Sequence, residues 1–234
     1  MNLACDKGGD GDSLLVLLHG LGAAREVWQP MLGAGRWPGS WIAPDLRGHG
    51  ESAHADDYSL DAHAGDVAET IGTGWRAITV LGHSMGGAVA LKLAGRMPLV
   101  HVFGLGIKVA WSSEDLAGLA RMASAPVKWF ATRDEAVARY LKASGLAASA
   151  RPAIVQGEGG WRLAADPAAA TVGPPPMAEM IEAAKAPFHL ARGAGDRMVS
   201  LAELKAFDSE AIDIPDAGHN AMLEQPGEVW DWVL

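Results

Sequence analysis

A single cysteine, Cys5, stands in a chain of 234 residues, which excludes an internal disulfide and any metal site built on several thiolates. Positive charge is scarce as well. Lys and Arg number 19 against 28 Asp and Glu, a formal net charge of −9, so the basic surface that neutralises nucleic-acid phosphates is missing. Long apolar runs are also wanting. The longest early one, Leu14–Leu18, has five residues, far below the ~20 that span a bilayer. Neither a nucleic-acid nor a membrane partner is therefore expected. Hydrophobic residues at 49% and charged ones at 20% place the chain among globular rather than disordered proteins.

The first dozen residues hold no apolar stretch of the kind an export signal needs. Leu3-Ala4-Cys5 faintly resembles a lipoprotein cleavage site, but Asn2 sits where an apolar residue belongs. The expectation is a cytoplasmic protein in which Cys5 is an incidental thiol.

What the chain does have is alternation. Leu14–Leu18 is apolar at every position, the pattern of a strand covered on both faces. Ser40–Ala43 and Ala77–Leu81 read as further strands, His101–Ala110 as a strand alternating apolar residues with glycine, and Pro187–Leu190 and Ala211–Ile214 as two more. Between them, Leu60–Thr73 carries apolar residues at helical spacing and Gly72 closes it. Helices are also expected after Gly87, over Leu201–Phe207 and over Glu228–Leu234. Strands alternating with helices imply an α/β fold with a mostly parallel, doubly wound sheet.

Residues 112–186 break this rhythm. Ser112 and Thr132 each precede an acid by three residues, the signature of a capped helix start, and Gly145 is a natural helix stop. Residues 146–176 have little pattern and end in Gly173-Pro174-Pro175-Pro176, before a helix over Met177–Lys185. The expected organisation is a core of residues 1–111 and 187–234, with a small, mostly helical insertion over 112–186.

Gly82-His83-Ser84-Met85-Gly86 matches G-x-S-x-G. With 29 glycines and 12 serines in the chain, about 0.2 such matches arise by chance, so context decides. The motif follows a buried strand and opens a helix, the setting in which a serine hydroxyl is held above the sheet. A serine needs a base within hydrogen-bond reach. His219, in Asp216-Ala217-Gly218-His219, follows one strand, and Asp196, in Gly195-Asp196-Arg197, follows another. Ser84, Asp196 and His219 thus all leave the carboxyl ends of strands, where open α/β sheets build their sites. Glu114 and Asp115, after the preceding strand, are rival acids. The backbone N–H groups of Leu21 and Met85 are candidate donors to a developing oxyanion, while Trp111 and Met198 are candidate pocket-lining side chains.

The remaining histidines read differently. His83 flanks Ser84 but points away from it, His19 orders the loop after its strand, and His49 belongs to a tight glycine turn. His54 and His63, with Asp56 and Asp57, match no familiar metal spacing and read as a solvated face. His101 and His189 read as core or sheet-edge residues.

His19-Gly20-Leu21-Gly22 with Trp28, Asp45-Leu46-Arg47-Gly48-His49-Gly50-Glu51-Ser52, the Ser84 motif, Gly195-Asp196, Gly218-His219 and the closing Glu224-Gln225-Pro226 together resemble the successive signatures of the α/β-hydrolase fold. The resemblance runs from about residue 14 to 234, and the insertion resembles that family's cap. It implies a serine hydrolase in which Ser84 attacks a carbonyl, His219 carries the proton and Asp196 orients His219, with no cofactor or metal. A serine nucleophile argues against dehalogenase or epoxide-hydrolase chemistry. The leading expectation is hydrolysis of a small or medium, uncharged carboxylic ester through an acyl-enzyme. Lactonases, thioesterases, perhydrolases and carbon–carbon bond hydrolases share such triads, and a small-molecule receptor can retain one.

Overall fold

Leu14 through Leu18 are buried on both sides because consecutive side chains of a strand face opposite ways and helices cover both faces here. The computed structural model describes residues 1–98, 101–184 and 186–234. In chain order the first half forms β1 (Cys5–Gly8), β2 (Ser13–Leu18), α1 (Gln29–Gly33), β3 (Ser40–Pro44), α2 (Leu60–Ile71), β4 (Ala77–His83), α3 (Met85–Ala94) and β5 (His101–Leu105). Then follow α4 (Ser113–Ala123), α5 (Arg133–Ser144), β6 (Ile154–Gly157), β7 (Gly160–Leu163) and α6 (Met177–Ala183). The chain closes with β8 (Phe188–Gly193), α7 (Leu201–Lys205), β9 (Ile212–Ile214), α8 (Ala221–Glu224) and α9 (Pro226–Val233).

The main sheet runs β1-β3-β2-β4-β5-β8-β9. Its strands are parallel, with Val16 beside Val80 and Leu81 beside Phe103, except that β1 lies antiparallel on β3. Leu14, Val16, Leu18, Val80 and Val102 pack with α2 and α3 on one face. Leu15, Leu17, Leu81 and Leu105 pack with Trp28, Met222 and Trp230 on the other. The alternation along β2 thus splits one apolar run between two cores. Burial of such side chains stabilises each by roughly 1.5–3 kcal/mol.

The two helix starts in the insertion are complete capping boxes, Ser112 with Asp115 and Thr132 with Glu135. Gly145 ends α5 in the left-handed region. Residues 146–176 add a short antiparallel hairpin, β6–β7, that two four-residue strands were too brief to announce. Polar contacts tie this interval to the core. Ser149 Oγ donates to Glu26 Oε2 at 2.5 Å, Asp166 N–H donates to Gly48 O at 2.8 Å, and Arg151 pairs with Asp6. α6 packs on α3, with Met177 and Met180 in the same buried cluster as Val89.

Two readings are corrected. The strand expected over His101–Ala110 stops at Leu105, because Gly106 turns the chain at φ 64° and Ile107 drops into the core. β1 was not foreseen, since its four residues are held by pairing with β3 rather than by any apolar pattern of their own. The end of the helix expected over Met177–Lys185 falls at Lys185, outside the described residues. Among the described residues no helix is long and apolar enough to cross a membrane.

Candidate active site

β4 ends at His83, and Ser84 then takes φ 52°, ψ −116°, one of two non-glycine residues with positive φ among those described. Such a conformation is strained for an L-residue and persists because the surroundings impose it. Ser84 N–H donates to Leu105 O at 2.8 Å, its carbonyl accepts from Gly87 N–H at 3.0 Å, and α3 begins at once. The turn also needs glycine at 86: a Cβ there would lie 2.2 Å from Leu18 O.

Asp196 and His219 leave the ends of β8 and β9 and meet. His219 Nδ1 donates to Asp196 Oδ2 at 2.8 Å, which leaves Nε2 as the lone-pair nitrogen. Asp196 is buried. Burial by itself would raise its pKa, but hydrogen bonds from His219 and from Met198 N–H (2.8 Å) outweigh it and hold the carboxyl below the usual range. The space for this pair comes from Gly106, where a Cβ would stand 3.3 Å from His219 Nδ1 and 3.4 Å from Asp196 Oδ2. Neither rival acid bonds to His219 among the described residues: Asp115 closes its capping box and pairs with Lys108 at 3.2 Å, and Glu114, in the same first turn, lines the cavity.

Ser84 and His219 line one cavity of about 770 Å³ between the sheet's carboxyl edge and residues 112–176. Among the described residues no hydrogen bond joins Ser84 Oγ to His219; such bonds often tighten only once substrate is bound. Leu21, Met85, Trp111 and Met198 line the same cavity. Met85 is the first residue of α3, so its N–H has no partner within the helix. The Leu21 N–H is likewise unpaired among the described residues, whereas its neighbours are taken: Gly22 N–H donates to His49 Nε2 at 3.0 Å and Ala23 N–H to Gly20 O at 3.2 Å.

The supporting histidines are neutral and each has a defined tautomer. His19 Nδ1 donates to Gly20 O at 2.8 Å while Nε2 accepts from Leu46 N–H at 2.9 Å. His49 Nδ1 donates to Arg47 O at 2.9 Å while Nε2 accepts from Gly22. Burial lowers their pKa values to about 4 and about 3. Asp45 anchors the same loop, accepting from the main chain of Arg25 (2.7 Å) and Glu51 (2.9 Å) and from the Arg25 guanidinium. That His49 reaches across to the Leu21 loop was not read from the sequence, where it showed only as part of a glycine turn.

His54, His63, Asp56 and Asp57 do not form one solvated face. His54, Asp56 and Asp57 are exposed, but His63 is buried, with neither ring nitrogen hydrogen-bonded among the described residues. His63 lies on the inner face of α2 with Leu60, Ala64, Val67 and Ile71. His101 and His189 lie half-buried, 5.6 Å apart on β5 and β8. Four cationic side chains also line the cavity, Lys108, Lys128, Arg139 and Arg162; the sequence signal that could have found them is a local surplus of basic residues in an acidic chain.

A family model described as the alpha/beta hydrolase family matches residues 15–232, and the chain belongs to that family. It is 40% identical over 91 residues to a pimeloyl-[acyl-carrier protein] methyl ester esterase of Neisseria meningitidis, covering 38% of this chain and 28% of that protein. It is 36% identical over 93 residues to the lipase LipV of Mycobacterium tuberculosis, covering 39% and 35%. The alignments thus span about a third of these relatives' length. In three dimensions it resembles an E-2-(acetamidomethylene)succinate hydrolase, with a TM-score of 0.80, 21% identity and coverage of 99% and 94%.

Proposed function

We propose that this protein hydrolyses carboxylic esters of small or medium size through an acyl-enzyme on Ser84. The observation that carries the reading is the fixed His219–Asp196 pair, whose free Nε2 shares a cavity with a serine on a strained strand-to-helix turn. Ser84 Oγ attacks the ester carbonyl as His219 Nε2 takes its proton. Leu21 and Met85 N–H donate to the oxyanion, and collapse expels the alcohol with the proton from His219. Water then repeats the sequence on the acyl group and releases the acid. Asp196 keeps Nδ1 protonated and balances the imidazolium. A cavity of this volume is in the range that encloses small organic ligands, and the esterase and lipase among the relatives support ester chemistry.

Hydrolysis of p-nitrophenyl esters of increasing acyl length tests this, wild type beside Ser84→Ala. The expected outcome is activity that declines with acyl length and disappears in the variant. Turnover that survives in Ser84→Ala would overturn the assignment.

A further inference from the structure

Residues 108–162 carry eight Lys and Arg against five Asp and Glu, a surplus of positive charge in a chain of net −9. Part of that surplus faces the cavity. Lys108 is neutralised by Asp115 at 3.2 Å. Lys128, Arg139 and Arg162 are different: among the described residues none of them lies within 4 Å of a carboxylate. Asp166 feels the charge of Arg162 at longer range, but already accepts from Tyr58 Oη at 2.7 Å and Ala168 N–H at 2.9 Å.

The cations are held without being neutralised. Lys128 Nζ lies 5.1 Å from the centre of the Phe130 ring, and the Arg162 guanidinium 5.9 Å from that of Trp129. Aromatic faces orient a cation but supply no counter-ion. Phe130 and Trp161 are joined by a strand-like bridge, so the segment bearing Lys128 runs beside β7, which bears Arg162. α5, which bears Arg139, packs on the same strand. Three neighbouring pieces of the insertion thus bring Lys128, Arg139 and Arg162 to a cavity whose other wall holds Ser84 and whose lining also includes the carboxylates of Glu114, Asp115 and Asp166, so that its cations outnumber its anions by one once Lys108 is counted.

We infer that this cavity takes an ester bearing a free carboxylate, such as the monoester of a dicarboxylic acid, with the carboxylate met by Lys128, Arg139 and Arg162 while the ester carbonyl reaches Ser84. Guanidinium groups suit this role because their planar donors match the two oxygens of a carboxylate. The inference rests on the ester-hydrolase reading and replaces the uncharged substrate expected from the sequence.

The experiment compares kcat/KM for monomethyl and dimethyl esters of succinate, glutarate and adipate. Wild type is expected to prefer at least one monoester by about 5- to 10-fold over its diester at low salt, with the preference shrinking as ionic strength rises. The Arg139→Gln/Arg162→Gln double variant should bring that ratio close to one, while Arg133→Gln, whose side chain is not among those lining the cavity, keeps the wild-type ratio. Diesters cleaved as fast as monoesters by wild type, or a ratio unmoved in the double variant, would overturn the proposal. A second arm needs no turnover: tryptophan fluorescence of Ser84→Ala titrated with adipate and with its neutral diamide. Adipate should bind and the diamide should not; equal binding, or none by adipate, sinks the subsite. If no ester is turned over in a Ser84-dependent way, the hydrolase reading falls while this binding arm still decides the subsite.

Discussion

His83 donates its Nε2–H to the main-chain oxygen of His219 at 2.8 Å, with the two rings 4.6 Å apart. The residue that precedes Ser84 therefore holds the loop that carries His219. Burial pushes the His83 pKa down to about 3, with neighbouring His219 acting in the same direction, so the ring is a neutral donor in the working pH range.

Replacing His83 by Leu leaves the His219 carbonyl without that donor. The expected loss is about 1–3 kcal/mol of stability, the cost of a buried group left unsatisfied, read by urea unfolding. His83→Gln, which can still donate, should recover part of it. A leucine variant as stable as the parent would show that this bond does not hold the loop.

His49→Ala should slow the chemistry without weakening substrate binding. Gly22 N–H would lose its acceptor, loosening the loop of Leu21, whose N–H is the proposed oxyanion donor. Removing an oxyanion donor outright costs about 10²–10³ in rate; loosening one should cost about 10-fold in kcat with KM little changed. Steady-state kinetics on p-nitrophenyl acetate separates the two parameters, and a change confined to KM contradicts this account.

Acid should unfold the protein early. His19, His49, His63 and His83 are buried with pKa values lowered to between about 3 and about 4 from an ordinary 6.5. In each, burial is the main cause, because it penalises the charged ring. The unfolded chain gains these protons below about pH 6.5 and the folded chain does not, so their contribution is complete above that pH and drains away down to pH 3–4. At pH 5 each histidine costs about 2 kcal/mol relative to pH 7. His63→Leu removes one such group together with two unpaired buried nitrogens. Urea melts at pH 7 and pH 5 should show a smaller drop for the variant than for wild type; an equal drop would mean that His63 opens to solvent before it titrates.

Asp196→Asn keeps the shape but removes the anion that fixes His219. Comparable changes in Ser-His-Asp sites cost about 10⁴ in turnover, and the stopped-flow acylation rate should fall by a similar factor. Met198 N–H selects the orientation that turns the amide oxygen toward it, so the NH₂ faces His219 Nδ1 and favours the tautomer protonated on Nε2. Near-normal acylation would mean that another acid supports His219.

Much of this is legible in the sequence, for a local reason. Leu14–Leu18 reads as a doubly covered strand because burial on both faces leaves no polar position. Ser112 with Asp115 and Thr132 with Glu135 read as helix starts because a cap is satisfied within three residues. The Ser84 turn is legible because glycine is the residue that allows the close approach at position 86. Each of these signals acts over one turn of helix or one strand, the range over which covalent neighbours constrain each other.

The tertiary structure decided what depends on distant partners. That Asp196 meets His219 rests on a contact between residues 23 apart in the chain, and the hold of His83 on His219 on one between residues 136 apart. Whether His63 faces water or the core, where the His101 strand stops, and which cations face the cavity likewise depend on what packs opposite. The sequence by itself determined most of the core strands and helices, the caps of the insertion's helices and the side chains from which a site could be built. Which of those side chains meet was left to packing, because burial and hydrogen-bond satisfaction are properties of the assembled surface and not of the neighbours along the chain.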